Sequence, residues 1–275
     1  MKALSIIILL FLFTILNTFS ALSWTSVGHR WIFFEAVKRM PESDGKKFFE
    51  ENLFQIVNKV MDPDFRKKRD GKAEQTYHII NLEEYFNYGF TIENFPWKLK
   101  DAEKIIGKNK IIQMGYAPWG IQEIFEKLVK ALKKNNVQLA IRLAADLAHY
   151  VGDLHNPLHT TSNYNGQLTG NFGLHGRFEA DLAKYYISKV PFKNGKVIEE
   201  IKDFNSFTFA NLKKTFSYVG GIIQADKTAQ WEPGLFDEKY YDRFWMFCKD
   251  IYFEVLNDGA DNLASYYHSA VLRIK

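Results

Sequence analysis

The sequence predicts an all-α fold, a single multi-helix domain, on three observations. Apolar residues recur at helical spacing through most of the chain after residue 23, strict apolar/polar alternation is scarce, and no Pro/Gly/Ser-rich linker divides the chain. The pattern is that of roughly seven to nine helices. A chain of 275 residues is long enough for one domain with a large core.

"MKALSIIILLFLFTILNTFSALS" has one basic residue, Lys2, then an apolar run, then Ala21 and Ser23 placed three and one positions before Trp24. That pattern predicts a secretory signal peptide over 1–23, whose cleavage leaves Trp24 as the new N-terminus and a domain of residues 24–275. An uncleaved anchor is the competing reading of the same run; the small residues before Trp24 and the lack of a following Lys/Arg cluster favour cleavage. The expected product is exported, periplasmic or secreted, with no stable membrane insertion and no protein partner implied. Removing Lys2 takes the formal charge from +4 to +3, too mild a balance to argue for nucleic acid or an anionic membrane. Cys248 is the only cysteine, so no intramolecular disulfide can form even where export permits one. Stability must come from the core or from bound metal.

Helical periodicity then runs through "HRWIFFEAVKRM", "DGKKFFEENLFQIVNKVM", "GIQEIFEKLVKALKK", "VQLAIRLAADLAHYVGD", "RFEADLAKYYI" and "YYDRFWMFCKDIYFEVL". Three polar stretches with Gly, Pro or Asn break it: "MDPDFRKKRDGKAEQTYH" at 61–78, "YFNYGFTIENFPWKLK" at 85–100 and "NPLHTTSNYNGQLTGNFGLHG" at 156–176. Each reads as a connecting loop, and loops of that length are usually functional or mobile.

Three of the seven histidines, His149, His155 and His159, crowd around Asp153. His149 and Asp153 are four residues apart, so on a helix they share one face, and an imidazole with a carboxylate forms a zinc-ligand pair. Ala145, Ala148 and Gly152 keep that face small, so a helix or an ion can approach closely. Asn156-Pro157 then stops the helix, and His159 follows in the loop, free to turn back. His175 and Glu179 repeat the four-residue spacing. One such pair also occurs as an ordinary surface contact; two, joined by a loop with a third histidine, are harder to dismiss. His78 sits among apolar neighbours, where a lone histidine is commonly a satisfied core residue, and Asp62 and Asp64 suit a turn or cap. His29 lies five residues after Trp24, whose freed α-amino group and carbonyl can both bind a metal.

"WTSVGH" after a signal peptide, "MDPDF", "YH" before apolar residues, "HYVGDLHNPLH" and "HGRFE" together resemble the superfamily of zinc-dependent phospholipases C and fungal single-strand-specific zinc nucleases. The resemblance spans about residues 24–190, and it implies a cleft with three zinc ions. Carried over, it places Trp24 and His29 on one ion and Asp64, His78 and His149 on a second, with Asp153 bridging the two. His159, His175 and Glu179 fall on the third. The nucleases tend to carry Trp-Ala-Asp with an Arg three residues later. Here the loop reads Asp62-Pro63-Asp64 with Lys67 three after Asp64, and that register selects Asp64 over Asp62. Glu179 matches the phospholipase preference at the last ligand, while Asn81 stands where nucleases have an acidic residue. His155 and His268 match no ligand position.

Histidine and carboxylate ligands without thiolates suit zinc open to water, so the expectation is a zinc-dependent phosphodiester hydrolase in which Asp64 and Asp153 carry the catalytic metals and zinc-bound hydroxide attacks the phosphate. Glu179 tilts the substrate toward phospholipid; single-stranded nucleic acid or a 3'-nucleotide is the alternative, and a non-catalytic zinc-binding module the third. Arg66, Lys67 and Lys68 are candidates to hold phosphate, or form a solvated basic loop. Tyr164 and Asn165, between two ligands in sequence, are candidates for substrate contact, by stacking on a base or packing on a choline-like cation.

Overall fold

Helices form wherever apolar residues recur every third or fourth position, and no strand occurs among the described residues. The computed structural model describes residues 24–191 and 197–274, and of Trp24 and Thr25 the backbone alone; the expected signal peptide lies outside the described residues. In chain order the helices are α1 (Trp24–Arg39), α2 (Asp44–Glu51), α3 (Leu53–Val57), α4 (Asp62–Asp70), α5 (Lys72–Gln75), α6 (Leu82–Phe86), α7 (Leu99–Ile106) and α8 (Lys108–Met114). They continue as α9 (Ala117–Lys133), α10 (Val137–Leu154), α11 (Leu174–Gly176), α12 (Leu182–Tyr186), α13 (Phe204–Ser217), α14 (Val219–Ala229) and α15 (Glu238–Leu272). These outnumber the seven to nine expected, because α3, α5, α6, α11 and α12 have five residues or fewer, too few to show a period.

The main departure is at 61–78, where a loop was expected and α4 and α5 form. Almost nothing in "DPDFRKKRD" is apolar, so no stripe betrays it. Its signals are terminal instead: Pro63 opens the helix, Asp62 and Asp64 lie in the first turn, and Lys67, Lys68 and Arg69 in the last. The stretch 85–100 keeps the end of α6 and the start of α7, with turns between. The stretch 156–176 is turns between a 3-10 turn, Pro157–His159, and α11.

α10 is the hub, packing against α9, α1 and α15. Its buried Ala140, Ala144, Ala145 and Ala148 let neighbours approach. Tyr267 of α15 donates to the carbonyl of Ala144 at 2.8 Å, stacks on Phe49 at 4.2 Å and meets Phe33 edge-on at 6.4 Å. Three chain segments therefore share one aromatic anchor. The 35 residues of α15 continue well past the apolar run that ends at Leu256. Asn257, Asp258, Asp261 and Asn262 are buried there and each is paired: Arg39 donates to Asn257 and Asp261, Lys214 pairs with Asp258, and Asn262 contacts His155. Among the described residues no helix is long and apolar enough to cross a membrane.

Residues 76–82 run as an irregular strap threaded between two neighbours. Ile80 and Leu82 donate backbone N–H to the carbonyls of His159 and Thr160 at 2.9 and 3.2 Å, while Tyr116 and Ala117 donate to Thr76 and Ile79 at 2.9 and 3.2 Å. The fit requires Gly115, which has φ +84°: a Cβ there would lie 2.3 Å from the Ile79 carbonyl oxygen. This strap delivers His78.

Candidate metal centre

α10 presents His149 and Asp153 on one face as their spacing demands, and the other donors converge on them from five further segments. Asp153 is buried and meets four imidazoles. Its Oδ2 lies 2.7 Å from His78 Nδ1 and 3.2 Å from His149 Nε2, and its Oδ1 3.4 Å from both His29 Nε2 and His159 Nδ1. The His29 ring of α1 stacks on His149 at 4.2 Å. That approach depends on Gly152, where a Cβ would stand 2.3 Å from His29 Nδ1. Asp64 arrives from α4, with Oδ1 at 3.7 Å from His149 Nε2 and 3.9 Å from His78 Nδ1. His159, from the 3-10 turn, reaches Glu179 at 3.4 Å and stacks on His175 at 5.0 Å. His175 Nε2 also contacts Glu179, across a π-helical turn at Arg177–Asp181.

These side chains form three groups that can hold metal ions: His29, His149 and Asp153; Asp64, His78 and His149; and His159, His175 and Glu179. Four-coordinate zinc with bonds of about 2.0–2.1 Å keeps its ligand atoms roughly 3.3 Å apart. Donor separations of 3.1 to 3.9 Å inside the groups bracket that value, with His175 and Glu179 closer still, so the donors can hold a metal ion. Tautomers are set from behind. His149 Nδ1 donates to the Val60 carbonyl at 2.8 Å and His159 Nδ1 to the His78 carbonyl at 2.9 Å, which leaves each Nε2 to face the groups.

The carboxylates of the centre stay ionised in spite of their burial. Burial opposes the charge of Asp153, yet His149 and His159 hold its carboxyl well below the usual range. Glu179 is likewise buried and held far down by His175 and His159. Burial opposes protonation of His159, but Asp153 and Glu179 outweigh it and raise the imidazole to about 9. For His78 burial wins and pushes it to about 4.

The centre opens on a cavity of about 380 Å³ lined by Lys67, Lys72, Gln75, Thr76, Asn81, Gln113 and Tyr164, with His78, His159 and His175 at its base. Lys67 donates to Asp64 Oδ1 at 2.5 Å, and Tyr164 sets its ring edge-on to His175 at 6.0 Å. Asn165 is not among the lining residues; its backbone N–H donates to Gln167. Arg66 is not free to hold phosphate. It donates to Glu74 at 3.2 Å, Asp146 at 3.0 Å and the Tyr150 hydroxyl at 3.0 Å, behind the imidazoles of His78 and His149 that Tyr150 meets edge-on. Glu74, Asp146 and Tyr150 were not expected from sequence, although Asp146 and Tyr150 flank His149 on α10.

Asp62, His155 and His268 belong to none of the three groups. His155 is buried and held by the Val151 carbonyl at 2.7 Å and Asn262 at 2.6 Å. Trp24 is the first residue of α1, one and a half turns before His29.

The third group is anchored by helices whose role the motifs left open. Buried Asp226 of α14 accepts from Arg177 Nε and Nη2 at 2.9 and 3.1 Å and from Asn171 at 2.5 Å, and Tyr240 of α15 also donates to it. Arg177 lies between His175 and Glu179, so α14 and α15 fix those two ligands. No family model and no curated protein sequence matches this chain.

Proposed function

We propose that the chain is an exported zinc-dependent phosphodiester hydrolase of the phospholipase C type. The observation that supports this most is Asp153, one buried carboxylate shared by four imidazoles between three donor groups that border an open cavity. Imidazole and carboxylate donors without thiolates suit zinc better than calcium or magnesium, which take oxygen ligands. A freed Trp24 amino group and carbonyl would add to the His29 group. When bound, zinc supplies Lewis acidity toward a phosphoryl oxygen and hydroxide near neutral pH.

The chain's own residues do the rest. The Lys67 ammonium, at the cavity wall and paired to Asp64, holds a non-bridging phosphoryl oxygen by a charge-assisted hydrogen bond. Asp64, the least buried carboxylate of the centre, accepts from Lys67 and so holds that ammonium at the cavity wall beside the groups that would carry the metal. Ile79, Ile112 and Leu158 give the cavity an apolar wall that limits bulk water. Tyr164, at the cavity wall edge-on to His175, is the candidate contact for the group beyond the phosphate. Its exposed ring also suits a stacked base, which keeps a single-strand nuclease or nucleotidase as the second reading. A closed structural zinc site needs four ligands and no cavity, so a purely binding role fits less well.

The deciding experiment is elemental analysis of the signal-cleaved protein with assays on phosphatidylcholine and single-stranded nucleic acid. One zinc per donor group and turnover of phosphatidylcholine is the expected result. Nucleic acid turnover alone selects the second reading; little zinc and neither activity refutes both.

A further inference from the structure

Two loops beside the third donor group expose large apolar side chains. Residues 164–172 present Tyr164, Leu168 and Phe172 at 51%, 71% and 68% exposure, and residues 231–235 present Trp231 and Leu235 at 77% and 47%. Single exposed apolar residues need no explanation. These five share a frame. Asp226 binds Asn171 of the first loop and Arg177 in the π-helical turn that follows it, and accepts from Gln230 just before the second at 3.0 Å. Arg177 donates to the Phe172 carbonyl at 2.6 Å and lies 4.1 Å over the Phe236 ring. Within the first loop Asn163 accepts from the Leu168 N–H at 2.8 Å and Gln167 donates to Ser162 at 2.6 Å. The loop is thus built to display its apolar side chains rather than bury them. Its first member, Tyr164, also lines the cavity.

Charge selects the partner. Residues 160–173 and 230–237 contain no Lys or Arg, and the second stretch carries Glu232 and Asp237. Arg243, stacked 4.1 Å over Trp231, donates to the Ala229 carbonyl at 2.8 Å. A single strand wants a basic groove with stacking rings, and Leu168 and Leu235 have no π-face. An anionic membrane wants clustered Lys and Arg. Trp, Tyr, Phe and Leu on loops that themselves carry no Lys or Arg, with the one guanidinium on Trp231 engaged by the Ala229 carbonyl, suit the headgroup level of a neutral surface. We infer that this rim docks a zwitterionic lipid surface and seats the cleft over headgroups that pass Tyr164 to the metal centre. The inference rests on the phospholipid reading of that centre.

The test is co-sedimentation of the zinc-loaded protein lacking residues 1–23, whose apolar run would bind lipid by itself, with phosphatidylcholine vesicles. Hydrolysis of a short-chain phosphatidylcholine below its micelle concentration is followed in parallel. The triple variant Leu168→Ser, Phe172→Ser, Trp231→Ser is expected to lower vesicle partition at least about tenfold, leave monomer hydrolysis unchanged and make binding no more salt-sensitive. Should the triple variant misfold, Leu168→Ser alone reads the same contact. Vesicle binding that the variants abolish, without any hydrolysis, sinks the phospholipase reading and leaves the rim. Monomer hydrolysis without vesicle binding does the reverse. Equal binding by the variants, binding that requires phosphatidylserine, or a loss of affinity for a single-stranded oligonucleotide instead overturns the inference.

Discussion

Asp153 touches His29, His78, His149 and His159, whereas Glu179 touches only His159 and His175 among the donor groups. Asp153→Asn keeps the shape and removes the charge that four imidazoles contact, so it should strip more metal and more activity than Glu179→Gln. Loss of an outer partner typically lowers metal affinity or activity about 10- to 100-fold; Asp153→Asn should exceed that range, read by elemental analysis and turnover. Equal, mild effects in the two variants would count against a shared central carboxylate. Gly152 offers a test of packing alone. The added methyl of Gly152→Ala meets His29 Nδ1 at 2.3 Å, and the ring it would push is stacked on His149 at 4.2 Å. Overpacking of this kind destabilises by about 1–3 kcal/mol, and His29 is the group that must move. A lower urea midpoint together with reduced metal content is the expected outcome; a variant indistinguishable from wild type would show that His29 does not depend on that gap.

At the scale of elements, the ligands are set by what lies behind them. Asp226 is buried and receives Arg177, Asn171 and Tyr240. Asp226→Ala leaves the Arg177 guanidinium buried without its charge partner, a change that costs about 3–5 kcal/mol. The 160–176 segment should become the first site of limited proteolysis, with metal lost from the His159, His175 and Glu179 group; unchanged cleavage would separate that group from α14. None of this network was legible in the sequence, because Asp226 has no spacing relation to Arg177. The long amphipathic helices α9 and α10 were legible from period alone, and so was the pairing of His149 with Asp153 and of His175 with Glu179. α4 was not, since helix-terminal charge rather than apolar period builds it. Its helical turn sends residues two apart in different directions, with Asp64 beside His149 and Arg66 bonded to Asp146. The polar half of α15 was masked for the converse reason: its buried Asn and Asp residues are paired with Arg39, Lys214 and His155 from distant segments.

For the molecule as a whole, the centre gathers residues from 29 to 179, on α1, α4, the 76–82 strap, α10, the 3-10 turn and the α11 region. Cys248, buried and alone, supplies no crosslink. Metal ions bound there would tie these segments together as clips across long loops, which restrict the unfolded chain most in principle. They would also compensate carboxylates that burial otherwise penalises, as at Asp153 and Glu179. A ligand that binds only the folded state stabilises it by about 2.7 kcal/mol at a free concentration 100 times its dissociation constant. For a chain of this size that corresponds to a Tm difference of about 5–10 °C per such site. Calorimetry of protein with verified metal content, before and after a chelator, should therefore show a fall of at least that size, restored by adding zinc back. Because the clipped segments include α1 and α10, against which α15 and α9 pack, the loss should appear as one cooperative transition at lower temperature. A chelated protein that melts where the loaded one does would mean that the aromatic anchors around Tyr267 hold these segments without help, and that the donor groups are not stabilised by a metal.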